Sequence, residues 1–384
     1  MKKIETYHVM VAFLITLITS TAFTAMSAKA ARVEPTGRDT PVTATFDKSG
    51  PPSKVSVWTD ESGGYDTSDP GLWGENSWVC LSDSSAETGQ CSTSPVWDIW
   101  GDIAIPLTFT EKRSGMQQTI NMQTEHRLRY PNGSECGDES TYKPKIYSAT
   151  VITCGDGNKT SESLASAYFT SAELAKLPAG GIWNANLKMS LTQWGGKLKL
   201  ADWNASITLN VTDNNNQQIY LPEFGEAAPR VDLNMRPLPG TKGNQAQMSG
   251  SANIDMCLYD GYGSNSSSFI LNFDDQSQGT LQRNKGYFSI YADQGDVNLD
   301  SGRIDYYIQM QGPDGNNITA QRDEILILTD IQAARVRQVH LPGIPQAVLC
   351  VPTPLLLFTK NIDINSKQAG HYTGHLIVNF TPQL

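Results

Sequence analysis

The chain has 384 residues and a net charge of −10, and only 18% of its residues are charged. An acidic chain lacks the basic patches that neutralise phosphate, which argues against nucleic acid and anionic lipid as partners. The length suffices for about two domains. Gly, Ser, Thr and Asn are abundant, a composition that is typical of strands and turns rather than of surface helices.

Residues 1–30 have the pattern of a secretory signal peptide. Two lysines form a short basic start, an apolar run extends from Val9 to Phe23, and Ala28-Lys29-Ala30 fits a signal-peptidase site. The run is shorter than the roughly 20 residues of a membrane span, so an N-terminal anchor helix is the weaker alternative. We therefore expect an exported protein that begins at Ala31. Removing this segment removes three lysines and one glutamate, which changes the net charge to −12.

Strand patterns are dense along the rest of the chain, and turn clusters separate them in the rhythm of a β-sandwich. Alternation at Ile120 to Tyr130 and at Ser206 to Val211 predicts strands with one buried face. Short apolar runs at Ile325–Leu328 and Leu376–Val378 predict more deeply buried strands. One short helix is expected at Ser171–Lys176, with Ser171 as its N-cap.

Six cysteines in an exported chain predict three disulfides. They are Cys80, Cys91, Cys136, Cys154, Cys257 and Cys350. Six cysteines allow 15 pairings. A domain boundary in the gap after the fourth cysteine would reduce these to three possible pairings, because Cys257 and Cys350 would then join each other. Among these we expect sequential pairing, since it closes short loops.

The strongest boundary pattern is Asn214–Asn216, which follows one strand pattern and precedes another. All eight tryptophans come before it: Trp58, Trp73, Trp78, Trp97, Trp100, Trp183, Trp194 and Trp203. In a β-sandwich most tryptophans fill the core, but an indole can also offer a flat face to a sugar. Trp194 is the candidate for that second role, because Gln193-Trp194-Gly195-Gly196 has the composition of a hairpin tip.

The chain carries no recognisable catalytic or metal-binding motif. Adjacent carboxylates such as Asp274-Asp275 face opposite sides of a strand, so they make poor acid–base pairs. Asp296–Asp300 begins like a calcium loop but lacks the glycine and glutamate that the loop requires. His371 and His375 share a strand face without an apparent third ligand. We therefore predict no enzyme activity, no cofactor and no metal.

Several segments resemble the minor tip adhesins, or pilus initiators, of colonization factor antigen I-type fimbriae, the class 5 or alternate chaperone–usher group that includes CblD-like proteins. The matching segments are Phe109–Ser114, Leu177–Ala185, Ile219–Phe224, Arg230–Pro237, Ile254–Tyr262, Ser264–Ser268, Val348–Cys350 and Phe380–Pro382. The resemblance spans about residues 70 to 384. The six cysteines fall in step with the pattern of this family.

This resemblance implies an all-β fold of two immunoglobulin-like β-sandwich domains. It implies an adhesin domain at 31–213, a linker at 214–216 and a pilin domain at 217–384. In this family the pilin domain lacks its last strand and is completed by donor-strand exchange, first with a periplasmic chaperone and then with the major pilin subunit. The family also implies an outer-membrane usher, export through the periplasm to the fimbrial tip, and a host carbohydrate receptor.

The chain departs from the family where receptor binding is concerned. Better-known members use arginines at one pole of the adhesin domain, and the aligned positions here are Glu75, Gln193 and Trp194. These three are the candidate receptor-binding residues. We expect a tip adhesin that attaches to host-surface glycans and initiates pilus assembly, with a different glycan stacking on Trp194. The alternative is a non-adhesive minor subunit that acts only as an assembly initiator.

A second departure is the alternating segment Pro41–Phe46, which resembles the donor strand of a major pilin. A tip subunit has no need to donate a strand. The segment is therefore expected to be the first strand of its own domain.

Overall fold

The computed structural model describes residues 32–131, 133–225 and 228–383. Within these residues the secondary structure is almost entirely β, with two helices of four residues each. The predicted signal peptide, residues 1–30, lies outside the described residues. In the part of the chain that the structure describes, no helix is long and apolar enough to cross a membrane.

The first set of elements occupies the chain up to Thr212. In chain order they are β1 (Arg32–Val33), β2 (Arg38–Asp47), β3 (Lys54–Asp66), α1 (Pro70–Trp73), β4 (Ser77–Cys80), β5 (Val96–Trp97), β6 (Ile103–Glu111), β7 (Gln117–Arg129), β8 (Ser148–Ala149), β9 (Glu162–Thr170), α2 (Ser171–Leu174), β10 (Gly181–Thr192) and β11 (Lys199–Thr212). Short 3₁₀ turns follow at Gly195–Lys197 and Asn214–Asn216.

Nine of these strands form one sheet in the order β1-β3-β9-β7-β6-β10-β11-β2, with β4 also paired to β10. The strands β6 and β10 share only two paired positions. The strands on both sides of this narrow joint contribute buried side chains to one core. We call this unit the N-terminal domain.

The edge strand β2 confirms that the segment Pro41–Phe46 is a strand of its own domain, although the two-residue strand β1 precedes it. It runs parallel to β11 over ten positions, from Arg38 opposite Trp203 to Asp47 opposite Thr212. Its alternating side chains pack on the core of the N-terminal domain, and Phe46 is buried. Proline is tolerated here because an edge strand has a free side on which an N–H is not needed.

The alternation predicted for Ile120 to Tyr130 is confirmed, since Ile120, Met122 and Leu128 on β7 are buried. The core beside them is rich in indoles. Trp78 meets Trp203 edge to face at 5.0 Å between ring centroids. Edge-to-face contacts of this kind add to the energy of area burial, by about 0.5–1.5 kcal/mol per pair.

His126 occupies the same buried face of β7. Its Nδ1 lies 3.1 Å from the Lys145 carbonyl oxygen, and its ring meets Trp78 edge to face at 5.4 Å. Burial lowers the pKa of His126 to about 4, because an imidazolium in this apolar setting would lose its hydration. The residue is therefore a neutral core side chain at physiological pH.

The predicted short helix is present as α2, but its cap differs from the expectation. The Oγ1 atom of Thr170, not Ser171, accepts a hydrogen bond from the Glu173 backbone N–H, so Thr170 is the N-cap. Thr170 ends β9 in an extended conformation, which is the backbone state that an N-cap requires. Single turns then carry the chain on to Leu177.

The three disulfides join the cysteines in the expected sequential order. The bonds are Cys80–Cys91, Cys136–Cys154 and Cys257–Cys350. The first two close loops within the N-terminal domain. The third links two neighbouring strands of the second set of elements.

The second set of elements begins at Gln218. In chain order they are β12 (Gln218–Tyr220), β13 (Arg236–Pro237), β14 (Gln247–Ser249), β15 (Ser251–Ile254), β16 (Cys257–Tyr259), β17 (Ser268–Asp275), β18 (Phe288–Ala292), β19 (Arg303–Gln311), β20 (Asn317–Thr319), β21 (Ile325–Thr329), β22 (Arg337–His340), β23 (Ala347–Pro352), β24 (Leu355–Phe358), β25 (Ile362–Asp363), β26 (Tyr372–Thr373) and β27 (Leu376–Gln383).

These strands form several small sheets around a second core, and we call this unit the C-terminal domain. The largest sheet has the order β15-β24-β19-β18-β26, with β20 added to β19. A four-stranded sheet has the order β12-β16-β23-β22, and a three-stranded sheet has the order β21-β17-β27. Inward residues of β17, among them Phe269, Leu271 and Phe273, contribute to the shared core.

The three-stranded sheet corrects the prediction of deeply buried strands at Ile325–Leu328 and Leu376–Val378. Both segments are strands, but Ile325 and Ile327 are 68% and 57% exposed and Ile377 is 43% exposed. The physical reason is their position, because β21 and β27 are the two edges of a sheet that buries only one face. A continuous apolar run in the sequence does not distinguish an edge strand that buries one face from a central strand that buries both faces.

Arg113 joins the two domains. It lies in the turn between β6 and β7, and its guanidinium donates to the backbone carbonyl oxygens of Ser264, Ile331 and Ala334, the latter two at 3.0 and 2.9 Å. Nearby, the carboxylate of buried Glu111 accepts hydrogen bonds from backbone groups of its own turn and from the Asn265 side chain.

The junction is also tight at the level of the backbone. The Asp213 N–H donates to the Gly261 carbonyl oxygen at 2.7 Å. A Cβ at Gly180 would overlap that same carbonyl group, so the close approach requires glycine at position 180. The segments that resemble the fimbrial family at Phe109–Ser114, Leu177–Ala185 and Ile254–Tyr262 therefore meet at one place.

The buried state of His126 predicts that acid destabilises the N-terminal domain. The unfolded chain binds this proton near pH 6.5, whereas the folded domain binds it only near pH 4. Stability is therefore lost as the pH falls between these values, by on the order of 3 kcal/mol in total. Because all tryptophans precede Asn214, tryptophan fluorescence during urea unfolding reports on this domain alone.

His126→Phe should be less stable at pH 7 but should lose less free energy of unfolding between pH 7 and pH 4 than the wild type. Met122→Leu, at a buried position without a titratable group on the same face of β7, is the matched control and should keep the wild-type slope. An unchanged pH dependence in His126→Phe would show that other groups cause the acid sensitivity.

Candidate functional site

The strand pair β4–β10 brings the three candidate receptor-binding residues to one end of the N-terminal domain. Its last register pair joins Ser77 to Thr192. Gln193 and Trp194 follow Thr192 directly, and Glu75 lies two residues before Ser77. The antiparallel ladder thus delivers all three residues to the same edge, which sequence spacing alone did not reveal.

Trp194 lies in the turn that connects β10 to β11, as its sequence predicted. The Gln193 N–H donates to the Leu198 carbonyl oxygen at 2.9 Å and closes this turn. Gly196 and Lys197 both have positive φ angles, 71° and 50°, which explains the need for glycine at position 196. The half-buried indole of Trp194 lies 5.2 Å from the ring of Trp97, with the two planes inclined at 41°.

Trp97 comes from a separate segment that β8 holds in place. Val96 and Trp97 pair in parallel with Ser148 and Ala149, and Trp97 is 41% exposed. Three residues further on, Trp100 is also exposed and packs on Tyr142 at 5.5 Å. Two aromatic pairs therefore face solvent near one segment, residues 96–100. We call Trp97, Trp100, Tyr142 and Trp194 the aromatic patch.

Sequence reasoning missed most of this patch. It assigned the tryptophans other than Trp194 to the core by default, and this holds for Trp58, Trp73, Trp78, Trp183 and Trp203, which are buried. Trp97 and Trp100 are the exceptions. Their spacing in a short loop between Cys91 and β6 was a usable signal, because a loop on the surface has little core to fill.

A groove of about 300 Å³ adjoins the patch. Leu81, Ser94, Ser190, Thr192, Lys197 and Lys199 are among its lining residues. The disulfide Cys80–Cys91 connects the end of β4 to the segment that forms the opposite wall. Lys197 belongs to both features, since its Nζ lies 5.8 Å from the centre of the Trp194 ring. We call this feature the β10 groove.

Glu75 adds a carboxylic acid that is weaker than an ordinary glutamate to the same end of the domain. Burial raises the pKa of Glu75, and repulsion from Asp69 raises it further, while attraction from Lys159 lowers it. This position therefore does not supply positive charge. The three positions carry acidic, amide and aromatic side chains, in keeping with the departure from an arginine-based site that the sequence led us to expect.

The open edge of β27 is a second candidate site, in the C-terminal domain. Among the described residues, β27 pairs with β17 and with no other strand. Its inward side chains Leu376, Val378 and Phe380 contact the core but are only partly buried. The apolar side chains of Val231 and Met235, from a segment outside any described strand, contact the same core and are also partly buried.

Potential metal ligands come close together at one place in the described residues, where Glu135, Cys154 and Asp156 meet. The Cys154 sulfur is bonded to Cys136. The Asp156 carboxylate accepts hydrogen bonds from the backbone N–H groups of Glu135 and Asn158. These interactions account for the cluster as part of a disulfide-linked turn.

Known proteins resemble both halves of the chain. The family model for the first domain of CfaE, a protein of CFA/I fimbriae, matches residues 27–214, and the model for the second domain of CfaE matches residues 217–384. The corresponding CFA/I fimbrial protein of Escherichia coli is 31% identical over 323 residues, which cover 81% of each chain.

Solved structures share the whole two-domain arrangement. The crystal structure of CfaE, the adhesive subunit of the CFA/I fimbria of enterotoxigenic Escherichia coli, has 28% identity and a TM-score of 0.78, and covers 92% of this chain and 94% of that chain. A structure of the chaperone–tip adhesin complex of CFA/I fimbriae biogenesis has 28% identity and a TM-score of 0.66, with coverage of 92% and 98%.

The fold and these likenesses define a two-domain, all-β fimbrial protein. The chain belongs to the CfaE family of CFA/I fimbrial proteins.

The environment of Glu75 predicts a local pH effect that opposes the effect of His126. Because its pKa is raised in the folded state, ionisation of Glu75 costs stability as the pH rises above the ordinary value of 4.5. Glu75→Gln should therefore raise the thermal midpoint at pH 7 and leave it unchanged at pH 4, followed by tryptophan fluorescence.

Glu87→Gln, at an exposed glutamate, is the matched control and should change neither midpoint measurably. Equal stabilisation by Glu75→Gln at both pH values would mean that side-chain packing, rather than the charge, is responsible.

Proposed function

We propose that this chain is a fimbrial tip adhesin that attaches to host-surface glycans and initiates assembly of the pilus. The observation that carries the adhesive part is the aromatic patch. The rings of Trp97 and Trp194 pack against each other at an incline on the surface, with Trp97 exposed and Trp194 half-buried, and apolar surface patches of this kind mark interaction sites. Indole faces suit the apolar face of a sugar ring.

Membership of the family supports the same role. The E. coli relative is the adhesive subunit of its fimbria, and 92% of this chain matches its structure. The receptor contacts we propose are Glu75, Gln193 and Trp194 together with Trp97. Their chemistry differs from an arginine cluster, so a glycan different from that of the better-known relatives is proposed.

Binding rather than catalysis is proposed for both domains. Of the adjacent carboxylates Asp274 and Asp275, the second is buried and is held by Arg283 in a two-contact ion pair at 2.5 and 2.9 Å. An Asp committed to such a pair is not available for proton transfer to a substrate. This arrangement supports a structural role for the carboxylates.

Pilus assembly is proposed to act through the open edge of β27. Unpaired N–H and C=O groups on a sheet edge, beside partly exposed apolar side chains, favour the addition of another strand. We propose that a periplasmic chaperone fills this site first and that the major pilin subunit replaces it at the outer-membrane usher. The limits proposed for the units are 31–213 for the adhesin domain, 214–216 for the linker and 217–384 for the pilin domain.

The adhesive role predicts that Trp194→Ala weakens attachment to epithelial cells or to a glycan array. Loss of a central aromatic contact costs about 2 kcal/mol, roughly a thirtyfold loss of affinity. The mature chain, co-purified with its chaperone, is the material to test. Leu198→Ala, an exposed apolar residue of the same turn, is the matched control and should bind normally.

If the wild-type chain binds no cell or glycan while pili still assemble, the non-adhesive initiator is the better description. Equal loss of binding in Trp194→Ala and Leu198→Ala would point to disruption of the turn instead of loss of a contact.

The open edge predicts different behaviour for the two halves of the chain. Fragment 31–213 should unfold cooperatively by itself. Fragment 217–384 should aggregate or melt without cooperativity until a donor peptide from the N-terminal extension of the major pilin is added, as measured by calorimetry. A peptide of the same composition in scrambled order is the control. A cooperative transition of fragment 217–384 without any peptide would contradict the proposed strand addition.

A further inference from the structure

The β10 groove is built by an interruption in the outer face of β10. Along this face Asn184, Asn186 and Lys188 are exposed, but Ser190 and Thr192 are buried. The change occurs where the segment tied down by Cys80–Cys91 approaches the strand. The disulfide thus converts an ordinary solvent-facing strand end into the floor of a groove.

The lining of the groove combines hydroxyl groups with apolar surface. Ser190 and Thr192 provide hydroxyls from the floor, and Ser94 provides one from the wall, while Leu81 is apolar and 53% exposed. Sugars present the same mixture of hydroxyl groups and apolar C–H faces. A volume of about 300 Å³ is at the lower end of the range for small-molecule sites, which is suitable for a single sugar residue.

The charge of the groove is positive in an otherwise acidic protein. Lys199 forms an ion pair with Asp202 at 2.5 Å. Among the described residues, no carboxylate lies within 4.0 Å of the Lys197 ammonium group, which lines the groove and stands beside the Trp194 ring. One positive charge is therefore available to a ligand, next to the aromatic patch.

We propose that the β10 groove binds an acidic residue of a glycan, a sugar that bears a carboxylate or a sulfate ester. Lys197 pairs with the anionic group, the hydroxyls of Ser190 and Thr192 bond the ring, and the next sugar of the chain reaches Trp194. An ammonium group acts as a point charge and accepts either anion. This inference rests on the proposed glycan-binding function, but it uses residues other than Glu75 and Gln193.

The test compares three sugars that share one ring and differ at C6: glucuronic acid, glucose 6-sulfate and glucose. Each is titrated into the mature chain in complex with its chaperone, with saturation-transfer NMR and tryptophan fluorescence as readouts. At least one acidic sugar should bind about tenfold more tightly than glucose, since a hydrogen bond to a charged group is stronger than one between neutral groups. The preferred sugar identifies the anion, and added salt should weaken its binding.

Lys197→Gln should reduce the affinity for the acidic sugar to that for glucose, whereas Lys197→Arg should retain most of it. Lys188→Gln is the matched control, because Lys188 is an exposed lysine on the same strand outside the groove. Glucose binding as tightly as both acidic sugars, no binding of any of the three at millimolar concentration, or normal binding by Lys197→Gln would each overturn the proposal.

The outcome is separable from that of the proposed function. Attachment to cells that Trp194→Ala abolishes and Lys197→Gln leaves intact would refute the acidic-sugar site and retain the adhesin. Binding of an acidic sugar that requires Lys197, in a protein that attaches to no cell, would refute the adhesin and retain the site.

Discussion

The unpaired edge of β27 is the constraint on which the C-terminal domain depends. A sheet edge leaves a row of backbone donors and acceptors without partners, and proteins normally cover or shorten such edges. Here the edge strand has eight residues and presents half-buried Leu376, Val378 and Phe380. Under the proposed strand addition, the core beneath them would be shared with the added strand. Assembly and folding of this domain are, in this view, one process.

The N-terminal domain has the opposite character, since its strands enclose a core of fully buried indoles. Its irregular features are concentrated at one end, where β4 meets β10. There the Cys80–Cys91 disulfide and the β5–β8 pairing hold two surface segments over the sheet. A closed, rigid core supports segments that are free to vary, which is the usual relation between scaffold and binding surface.

Sequence patterns predicted the all-β class, the disulfide pairing, the short helix and the exceptional position of Trp194. They failed where neighbours in space decide the outcome. The isoleucines of β21 were expected to be buried, because an apolar run does not reveal that its strand is at a sheet edge. Trp97 was assigned to the core, because only the pairing with β8 places it beside Trp194. Sequence patterns also did not predict that Glu111 and Arg113 form hydrogen bonds with residues of the other domain. The domain limits remain a prediction.

The strand β11 has a mechanical consequence. It begins just after the turn that holds Trp194 and continues for fourteen residues, roughly 45 Å, to Thr212 at the domain junction. β10 flanks nearly all of this length, and β2 flanks it from Trp203 onward. Tension applied between a bound receptor and the pilus shaft would run lengthwise through this strand. Because both loaded points lie on this one extended strand, its covalent backbone carries the load and the strand has little length left to gain, so this geometry resists pulling.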